Sequence, residues 1–461
     1  MEFLNEAVAT IQSFLWDGLL ILLLCGTGLF FTIRLGGIQI RRFGAGLREM
    51  FSGFSLKGEK AGKHGMSSFQ AVTTAIAGQV GTGNLAGAAT AILLGGPGAI
   101  FWMWLSAFLG MATIYAEALL AQKFKSVDRD GQTVGGPAYY IEKGLRCRWL
   151  ARVFAVLLVL ALGFMGNMVQ SNSIAVAFET SLGIPSWIGG LVVALLVGVS
   201  LLGGIGRIAS FTEKVVPVMA CLYLLGSVVV LGINYDRILP ALGSIFRSAF
   251  QPASAFGGIA GYTVLRSVKY GVARGLFSNE AGMGSTPHAH AVAKVEYPAK
   301  QGHLAIVSVF FDTFVVLTLT ALVILTSGVL PGMITPEAQG IDVTQASFSA
   351  AFGGWGGVFI AVCLLFFAFS TIISWYYYGE TNVRYLFRSP KAVPVYKLMV
   401  VLFVFAGSLF QSGLVWALSD VFNGLMVIPN VAALLLLSPM VAAMCREDKP
   451  LKNRRRGRNN G

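Results

Sequence analysis

Two short stretches of this chain combine glycines with amide and hydroxyl side chains inside long apolar runs. The first, Gly78–Gly87, reads GQVGTGNLAG and places glycines beside Gln79, Thr82 and Asn84. Glycine disfavours a continuous helix here. A helix that breaks inside a membrane frees N–H and carbonyl groups, which bind ions and polar solutes. The alternative is a closely packed glycine face whose Thr and Asn side chains bond to neighbouring helices.

The second stretch, Gly275–Ser285, reads GLFSNEAGMGS and adds a carboxylate, Glu280, to the same mixture. Carboxylates inside membrane spans are costly and usually functional, and Asp312 is the other deep one. Asp312 could lend charge to sodium or a proton, or it could bond to a neighbouring helix. Arg274, beside the second stretch, could pair with Glu280 or gate the path to a site.

The residues around these stretches have the composition of a membrane protein. Of the 461 residues, 55% are apolar and 12% are charged, against about 25% charged in soluble domains. Apolar runs near the ~20 residues that cross a bilayer recur along the chain. We predict an all-α integral membrane protein of about eleven transmembrane helices. The predicted spans are residues 16–33, 66–94, 99–122, 150–178, 187–202, 212–233, 261–291, 304–328, 355–385, 395–409 and 414–443.

Basic residues are segregated between alternate connections of these spans. Glu2, Glu6 and Asp17 precede the end of the first span, and seven Lys and Arg residues follow it within residues 34–63. Because positively charged loops stay in the cytoplasm, the N-terminus is predicted outside the plasma (inner) membrane and the C-terminus inside. The net charge of +13 is then mostly cytoplasmic. The cluster Arg454–Arg456 is interpreted as facing lipid headgroups rather than nucleic acid.

The two glycine-rich stretches lie five predicted spans apart. Successive units with an odd number of spans must have opposite orientations in the membrane. Spans two to six and seven to eleven therefore form a five-plus-five inverted repeat with two broken helices and one extra span in front, an arrangement typical of secondary transporters. The predicted segments are residues 1–65 (first span and cytoplasmic linker), 66–240 and 241–445 (the two repeats) and 446–461 (basic tail).

Other function classes lack support in the sequence. The five cysteines are scattered without a CxxC, so neither a disulfide framework nor a metal site is predicted. No HExxH is present, and His288 and His290 are interpreted as polar residues near a loop. A channel would repeat one pore unit instead of showing inverted halves. The chain is therefore expected to be a carrier and not an enzyme.

Five longer stretches resemble the alanine or glycine:cation symporter family. They are GQVGTGNLAGAATAILLGGPGAIFWMW (Gly78–Trp104), GGPAYYIEKGL (Gly135–Leu145), GNMVQSN (Gly166–Asn172), GLFSNEAGMGSTPHAHA (Gly275–Ala291) and FAFSTIISWYYYGE (Phe367–Glu380). The resemblance covers nearly the whole chain apart from the basic tail. It implies a sodium-coupled symporter of small neutral amino acids with the five-plus-five fold of leucine-transporter-type carriers.

An amino-acid zwitterion needs a partner for each charged end. The carboxylate suits free N–H groups at a helix N-terminus. The half-helix after the first break begins near Asn84, so Thr82, Gly83 and Asn84 are the predicted carboxylate residues. Glycine there lets the backbone approach the substrate closely.

The ammonium end needs carbonyl and side-chain oxygens. Phe277, Ser278 and Asn279 bring carbonyls from the second break, and Asn167 and Gln170 share one face of the fourth span. The resemblance implies that Gln170 borders the substrate. Hydrogen bonding between helices is the alternative for Asn167 and Gln170.

A co-transported sodium ion would be held, by the same resemblance, between the second and ninth spans. Thr371 is implied to join the carbonyl oxygens of Gly78 and Val80 around the ion. Sodium is a hard cation that takes oxygen ligands, which these groups supply.

Trp375, four residues after Thr371 on the same helix face, would cover a small pocket. Together with Phe277 and Met283 it would limit the side chain that fits, although packing alone also explains a buried Trp. The sequence leaves open alanine, glycine, D-alanine or D-serine as substrate, a larger glutamine-like substrate, a proton in place of sodium, and the oligomeric state.

Overall fold

The computed structural model of the chain describes residues 2–52, 65–251, 264–335, 338–387 and 389–447. Residues 53–64 of the linker after the first span, the start of the seventh predicted span, residues 336–337 after the eighth span, and the basic tail beyond residue 447 lie outside the described residues.

The described residues are almost entirely helical. The helices are α1 (Glu2–Phe14), α2 (Leu20–Arg34), α3 (Ile38–Arg41), α4 (Phe43–Ser52), α5 (Ser68–Gln79), α6 (Ala88–Gly95), α7 (Gly98–Phe124), α8 (Pro137–Gly144), α9 (Arg148–Leu158), α10 (Asn167–Leu182), α11 (Ser186–Leu201), α12 (Gly204–Ile233), α13 (Ile238–Phe250), α14 (Val264–Asn279), α15 (Pro287–Val292), α16 (Ala299–Val309), α17 (Thr318–Ser327), α18 (Gly340–Phe352), α19 (Gly354–Leu386), α20 (Ala392–Gly407), α21 (Ser412–Leu436) and α22 (Ser438–Glu447).

Short irregular segments connect some of these helices. Wide π-helical turns occupy Leu15–Leu19, Gly83–Gly87, Val159–Gly166 and Phe310–Leu317, and 3-10 turns occupy Tyr235–Arg237 and Leu330–Met333. Strands β1 (Ser126–Val127) and β2 (Thr133–Val134) form a small antiparallel hairpin before α8. Single π-turns inside α-helices frequently mark functional sites. Three of the four π-helical segments adjoin residues selected from the sequence.

Within the part of the chain that the structure describes, length and apolarity identify seven helical stretches that could cross a membrane. They are Glu6–Arg34, Gly98–Phe124, Arg148–Leu182, Gly204–Ile233, Ala299–Ser327, Gly354–Leu386 and Ser412–Leu436. Gly83–Gly95, Ser186–Leu201 and Ala392–Gly407 are shorter apolar helices. The second and seventh predicted spans are each divided in two, so the all-α membrane fold is confirmed while the count of eleven stays a prediction.

The first break follows from local sequence on both sides. Helix α5 begins with a capping box, in which Ser67 and Gln70 bond reciprocally through side chain and backbone and satisfy N–H groups at the helix start. It ends at Gln79 because Val80 adopts an extended conformation, with φ −80° and ψ 92°. The helix resumes at Gly83.

The second break uses left-handed backbone conformations. Helix α14 ends at Asn279, and Glu280, Gly282 and Gly284 have φ values of 57°, 89° and 84°. The glycines adopt these angles without steric cost, whereas Glu280 is strained by about 1–3 kcal/mol. Helix α15 then begins with Pro287, which suits a first helical turn. Such strain persists only where the surroundings enforce it, which points to function at this break.

Packing places the two breaks inside the bundle and leaves an apolar exterior. Helix α14 packs against α7 and α6, α10 packs against α19, and α5 packs against α12, α19 and α16. Large apolar side chains on the outer helices, such as Leu22, Leu195, Leu225 and Leu398, are exposed. In a bilayer these side chains face the acyl chains.

Candidate functional site

The last turn of α5 and the middle of α19 meet at the hydroxyl of Thr371. Its Oγ1 lies 2.8 Å from the carbonyl oxygen of Ala77, 3.1 Å from that of Phe367 and 3.4 Å from that of Val80. A hydroxyl has one proton and cannot donate well to all three oxygens. The carbonyl end of a helix also carries the negative end of its dipole. This cluster of oxygens can therefore hold a small hard cation.

Two of the three sodium residues selected from the sequence thus meet in the structure, namely Val80 and Thr371. Ala77, which the sequence analysis did not select, provides the shortest contact to Thr371 Oγ1. Gly78 lies in the same turn, and its carbonyl as a ligand stays a prediction. The signal for Ala77 was available, because every carbonyl in the last turn before a helix break lacks an intrahelical partner.

Gln170 on α10 borders the first break directly. Its Oε1 accepts a hydrogen bond of 3.1 Å from the backbone N–H of Thr82. A Cβ added at Gly81 would lie 3.0 Å from the same Oε1 and 2.5 Å from Thr371 Oγ1. A side chain at Gly81 would therefore collide with both the Thr371 hydroxyl and the Gln170 amide, so only glycine fits.

Asp312, in the π-helical segment Phe310–Leu317, joins the two breaks. Its Oδ1 accepts from Asn84 Nδ2 at 2.7 Å, and both of its oxygens lie 3.0 Å from Ser278 Oγ. Asn84 Nδ2 also donates to the Asp312 carbonyl oxygen at 3.1 Å, and Asn84 Oδ1 accepts from Gly81 N–H. The Asn84 side chain is thus engaged within the protein. The backbone N–H of Asn84 also has an acceptor, the Gly81 carbonyl oxygen at 3.3 Å.

The second break brings an aromatic wall to the same region. The rings of Phe277 and Trp375 meet edge to face, with centroids 5.7 Å apart and planes at 85°. The Trp375 indole N–H donates to Glu280 Oε1, and Ser285 Oγ donates to Glu280 Oε2. On the other side of Phe277 lies Trp416 of α21, at a centroid distance of 4.7 Å.

Asn279 and Met283 complete the predicted set. The carbonyl oxygen of Asn279 accepts from Gln79 Nε2 at 2.7 Å, and its Nδ2 donates to Thr313 Oγ1 at 3.2 Å. Met283 is fully buried in the turn after Glu280. The structure therefore uses Asn279 to join the two breaks, and the part of Met283 in a pocket wall stays a prediction.

Arg274 pairs with a carboxylate that the sequence analysis did not select. Its guanidinium forms a buried ion pair with Asp420 of α21 and stacks 4.6 Å above the Trp416 ring. Gln12 of α1 donates to the same carboxylate at 2.7 Å. Of the two alternatives for Arg274, the predicted pairing with Glu280 is therefore wrong. An acidic residue inside the last apolar span was the signal for Asp420.

A cavity of about 930 Å³ opens beside this ion pair. Arg274, Trp416 and Asp420 line it, together with residues before and at the start of α18, namely Ile334, Thr335, Ala338, Gln339, Gly340 and Ile341. By the charge pattern of the loops, this is the predicted outer side of the protein.

The two histidines of α15 do not face a loop surface. Both are fully buried. The ring of His288 stacks on Tyr378 at 5.6 Å, and its Nδ1 lies 2.7 Å from the Ser285 carbonyl oxygen. Because a carbonyl only accepts, Nδ1 carries the proton and Nε2 accepts from Asn382 Nδ2 at 2.8 Å. Both residues lie near the end of the seventh predicted span, as expected, but α15 packs against α7 and α5, so their side chains are enclosed in the bundle instead of facing a loop.

Several buried polar atoms near the breaks have no hydrogen-bond partner among the described residues. Buried polar atoms without a partner are costly, and each calls for an explanation. A polar ligand and an ion bound between the breaks would satisfy such atoms. They are Gln79 Oε1, Thr82 Oγ1, Asn167 Oδ1, Thr286 Oγ1 and Ser374 Oγ.

Comparison with known proteins agrees with this geometry. Residues 1–459 match the sequence model of the sodium:alanine symporter family. The chain is 42% identical to the sodium/alanine symporter AgcS of Methanococcus maripaludis, over 96% of each chain. It is also 42% identical to the probable sodium/glutamine symporter GlnT of Bacillus subtilis, over 95% of this chain and 90% of that protein. The crystal structure of MhsT in complex with L-phenylalanine superposes with a TM-score of 0.59 at 14% identity, covering 83% of this chain and 99% of that one.

Proposed function

Because this chain belongs to the sodium:alanine symporter family, we propose that it is a sodium-coupled symporter that imports small neutral amino acids by alternating access. The protein is a multi-pass membrane transporter and not an enzyme. Alanine and glycine are the proposed main substrates, with D-alanine and D-serine as further candidates.

The observation that carries the proposal is the oxygen cluster at Thr371. Three carbonyl oxygens lie within 3.4 Å of one hydroxyl, and two of them come from the last residues around a helix break. A sodium ion bound there by Thr371 and the carbonyls of Ala77, Gly78 and Val80 would be the co-transported cation. Cation binding would hold the end of α5 against α19 and so couple the ion to the break.

The substrate would lie beside this ion, between the two breaks. Its carboxylate is assigned to the backbone of Thr82, Gly83 and Asn84, where the half-helix dipole favours an anion. Substrate binding would then exchange the present acceptors of the Thr82 and Asn84 N–H groups, Gln170 Oε1 and the Gly81 carbonyl oxygen, for the carboxylate. The unpartnered Thr82 Oγ1 supports a polar ligand at this position.

The ammonium group is assigned to Gln170 and to the carbonyls of Phe277, Ser278 and Asn279. Gln170 already contacts the first break, and Ser278 is joined to it through Asp312. An amino acid held at both ends would therefore bridge the two broken helices.

The side chain would face the wall formed by Phe277 and Trp375, with Met283 nearby. Two large rings fixed edge to face leave little space beyond the substrate Cα. This supports hydrogen or methyl as the preferred side chain, because steric overlap rejects branched chains strongly.

Inverted halves would supply the two access states. We propose that residues 66–240 and 241–445 are the two five-helix repeats and that residues 1–65 contribute the extra span. The N-terminus lies outside and the C-terminus inside in this proposal, so the cavity at Arg274 and Asp420 faces outward.

The test is uptake of labelled alanine by purified protein in proteoliposomes, with sodium and proton gradients imposed separately. Uptake driven by an inward sodium gradient alone, and inhibited by unlabelled glycine, is the expected result. Uptake driven only by a proton gradient would show that the coupling ion is a proton and not sodium. Because AgcS and GlnT are equally similar to this chain, glutamine belongs in the same competition series, and its outcompeting alanine would overturn the small-substrate assignment.

A further inference from the structure

The Trp375 indole is held by the carboxylate of Glu280, a residue to which the proposed function assigns no role. Its N–H donates to Glu280 Oε1, while Ser285 Oγ donates to Glu280 Oε2. All three side chains are fully buried. One carboxylate thus satisfies two donors and fixes the nitrogen end of the indole relative to the second break.

The position of Glu280 is itself enforced by the backbone. Its φ of 57° lies in the left-handed region, which side chains other than glycine enter only when the surroundings require it. Its N–H donates to the Leu276 carbonyl oxygen at 2.9 Å. The next N–H, of Ala281, donates to Asn279 Oδ1 at 3.1 Å. The carboxylate is therefore presented from a rigid turn and not from a mobile loop.

The opposite end of the indole rests on Gly166, at the end of the π-helical segment Val159–Gly166. A Cβ added at Gly166 would lie 2.5 Å from Trp375 Cζ3 and 2.9 Å from Cε3. The edge of Phe277 meets the indole from the α14 side. The ring thus lies between this π-helical segment and the second break. A methyl group at Gly166 would collide with the ring and also with the Ala161 carbonyl oxygen, 2.9 Å from the added Cβ.

We propose that Glu280 and Gly166 are positioning residues that set where the Trp375 ring lies and thereby the largest substrate side chain the site accepts. This inference rests on the proposed function, in which Trp375 faces the substrate Cα. Glu280 prevents the ring from turning away from the substrate, and Gly166 prevents it from advancing into the pocket. Changes at the two residues therefore shift selectivity in opposite directions.

The experiment measures competition against sodium-driven alanine uptake by glycine, alanine, 2-aminobutyrate and valine in proteoliposomes. Glu280→Ala frees the ring and vacates space beside it. The potency of valine as a competitor relative to alanine should therefore rise about tenfold. Glu280→Gln keeps an oxygen for the indole N–H and retains the wild-type ratio. Gly166→Ala pushes the ring toward the substrate. The potency of alanine as a competitor relative to glycine should therefore fall about tenfold.

Two further variants separate positioning from general damage. Gly163→Ala lies one turn earlier and collides with Tyr396 Oη at 2.5 Å, not with Trp375, so it lowers uptake without changing the competition ratios. Trp375→Phe keeps a ring but lacks the N–H, so it broadens selectivity as Glu280→Ala does. The double variant Trp375→Phe, Glu280→Ala should show nearly the same competition ratios as either single variant, because both changes remove the same hydrogen bond.

Unchanged ratios in Glu280→Ala and Gly166→Ala, or the same shift in Gly163→Ala as in Gly166→Ala, would overturn the positioning roles. Should Glu280→Ala yield no folded protein, Glu280→Asp takes its place, because its carboxylate is one methylene shorter and withdraws from the indole N–H while Trp375 keeps its size. Absence of sodium-driven uptake in the unmodified protein would instead refute the proposed function, so the two failures are distinguishable.

Discussion

At the scale of single residues, the oxygen cluster depends on one hydroxyl. Thr371 is fully buried and faces two carbonyls of the broken helix as well as Phe367 of its own helix. Removing its Oγ1 deletes one oxygen and leaves the carbonyls in place. The effect should therefore fall on cation affinity more than on folding.

We expect Thr371→Ala to raise the sodium concentration for half-maximal uptake about tenfold, whereas Thr371→Ser keeps the oxygen and is milder. Initial rates of alanine uptake over a sodium titration measure this. Ser370→Ala is the matched control, because Ser370 Oγ donates to the Phe367 carbonyl at 2.8 Å and not to the break. Unchanged sodium dependence in both Thr371 variants would remove Thr371 from the ion site.

Trp375 tests whether the aromatic wall selects substrates by size. Trp375→Ala should admit valine or leucine while weakening alanine, because the steric barrier disappears. If the residue served packing alone, the cavity would cost about 3–5 kcal/mol and would lower yield and all uptake together. Competition from glycine to leucine on folded variant protein decides, and an unchanged rank order would exclude Trp375 from the site.

At the scale of elements, the two half-helices are held in direct contact by glycine. A Cβ at Gly83 would lie 2.8 Å from Ser278 Cα and 3.0 Å from its Cβ. The sequence interpretation reserved this space for the substrate, and the structure fills part of it with the backbone of the other break. Any side chain at Gly83 must therefore separate the breaks that the proposed substrate bridges.

Gly83→Ala is therefore expected to reduce uptake severely, since overpacking against a backbone atom costs about 1–3 kcal/mol. Gly87→Ala, one turn later in the same half-helix, is the control. Its Cβ would be 3.8 Å from Thr82 O and 3.9 Å from Trp416, so it fits. Uptake normalised to inserted protein measures the difference, and equal activity of the two variants would contradict the contact.

A second polar junction connects α7, α8, α21 and the second break. Glu117 accepts from Asn430 Nδ2 at 2.6 Å and from the Gly282 N–H at 3.2 Å. Asn430 Oδ1 in turn accepts from the hydroxyl of Tyr140 in α8. Helix α8 is thus connected to the turn after the second break through Asn430, whose Nδ2 also donates to the Gly282 carbonyl oxygen at 2.9 Å.

At the scale of the whole molecule, charge segregation predicts the orientation of the chain. The connections that are predicted to be cytoplasmic carry most of the basic residues, and large apolar side chains are exposed on the peripheral helices. Arg129 in the hairpin and Tyr235 after α12 are both exposed and fall on opposite sides in the proposed orientation.

In a background without the five native cysteines, Tyr235→Cys should react with a membrane-impermeant maleimide added to intact cells. Arg129→Cys should react only after the cells are permeabilised. Labelling in the opposite pattern would show that the orientation is the reverse of the proposed one. Labelling of both variants in intact cells would show that the number of spans between the two positions differs from the predicted number.

By itself, the sequence determined the membrane class, the family resemblance and both breaks. Composition, glycine clustering and basic-residue distribution are local properties of the sequence. Their effects on membrane insertion and helix breaking do not depend on which distant helices pack together. Thr371, Gln170 and Trp375 were selected through motif resemblance, and the positions of Thr371 and Gln170 beside the first break agree with it.

Only the tertiary structure decided which groups meet. The pairing of Arg274 with Asp420, the use of Asn84 and Ser278 by Asp312, and the confinement of Trp375 by Glu280 all join residues far apart in the chain. Glycine spacing shows that backbones approach closely, but which backbone approaches depends on how separate helices pack. The physical reason is that long-range contacts arise from the shape of the assembled bundle, which no single span specifies.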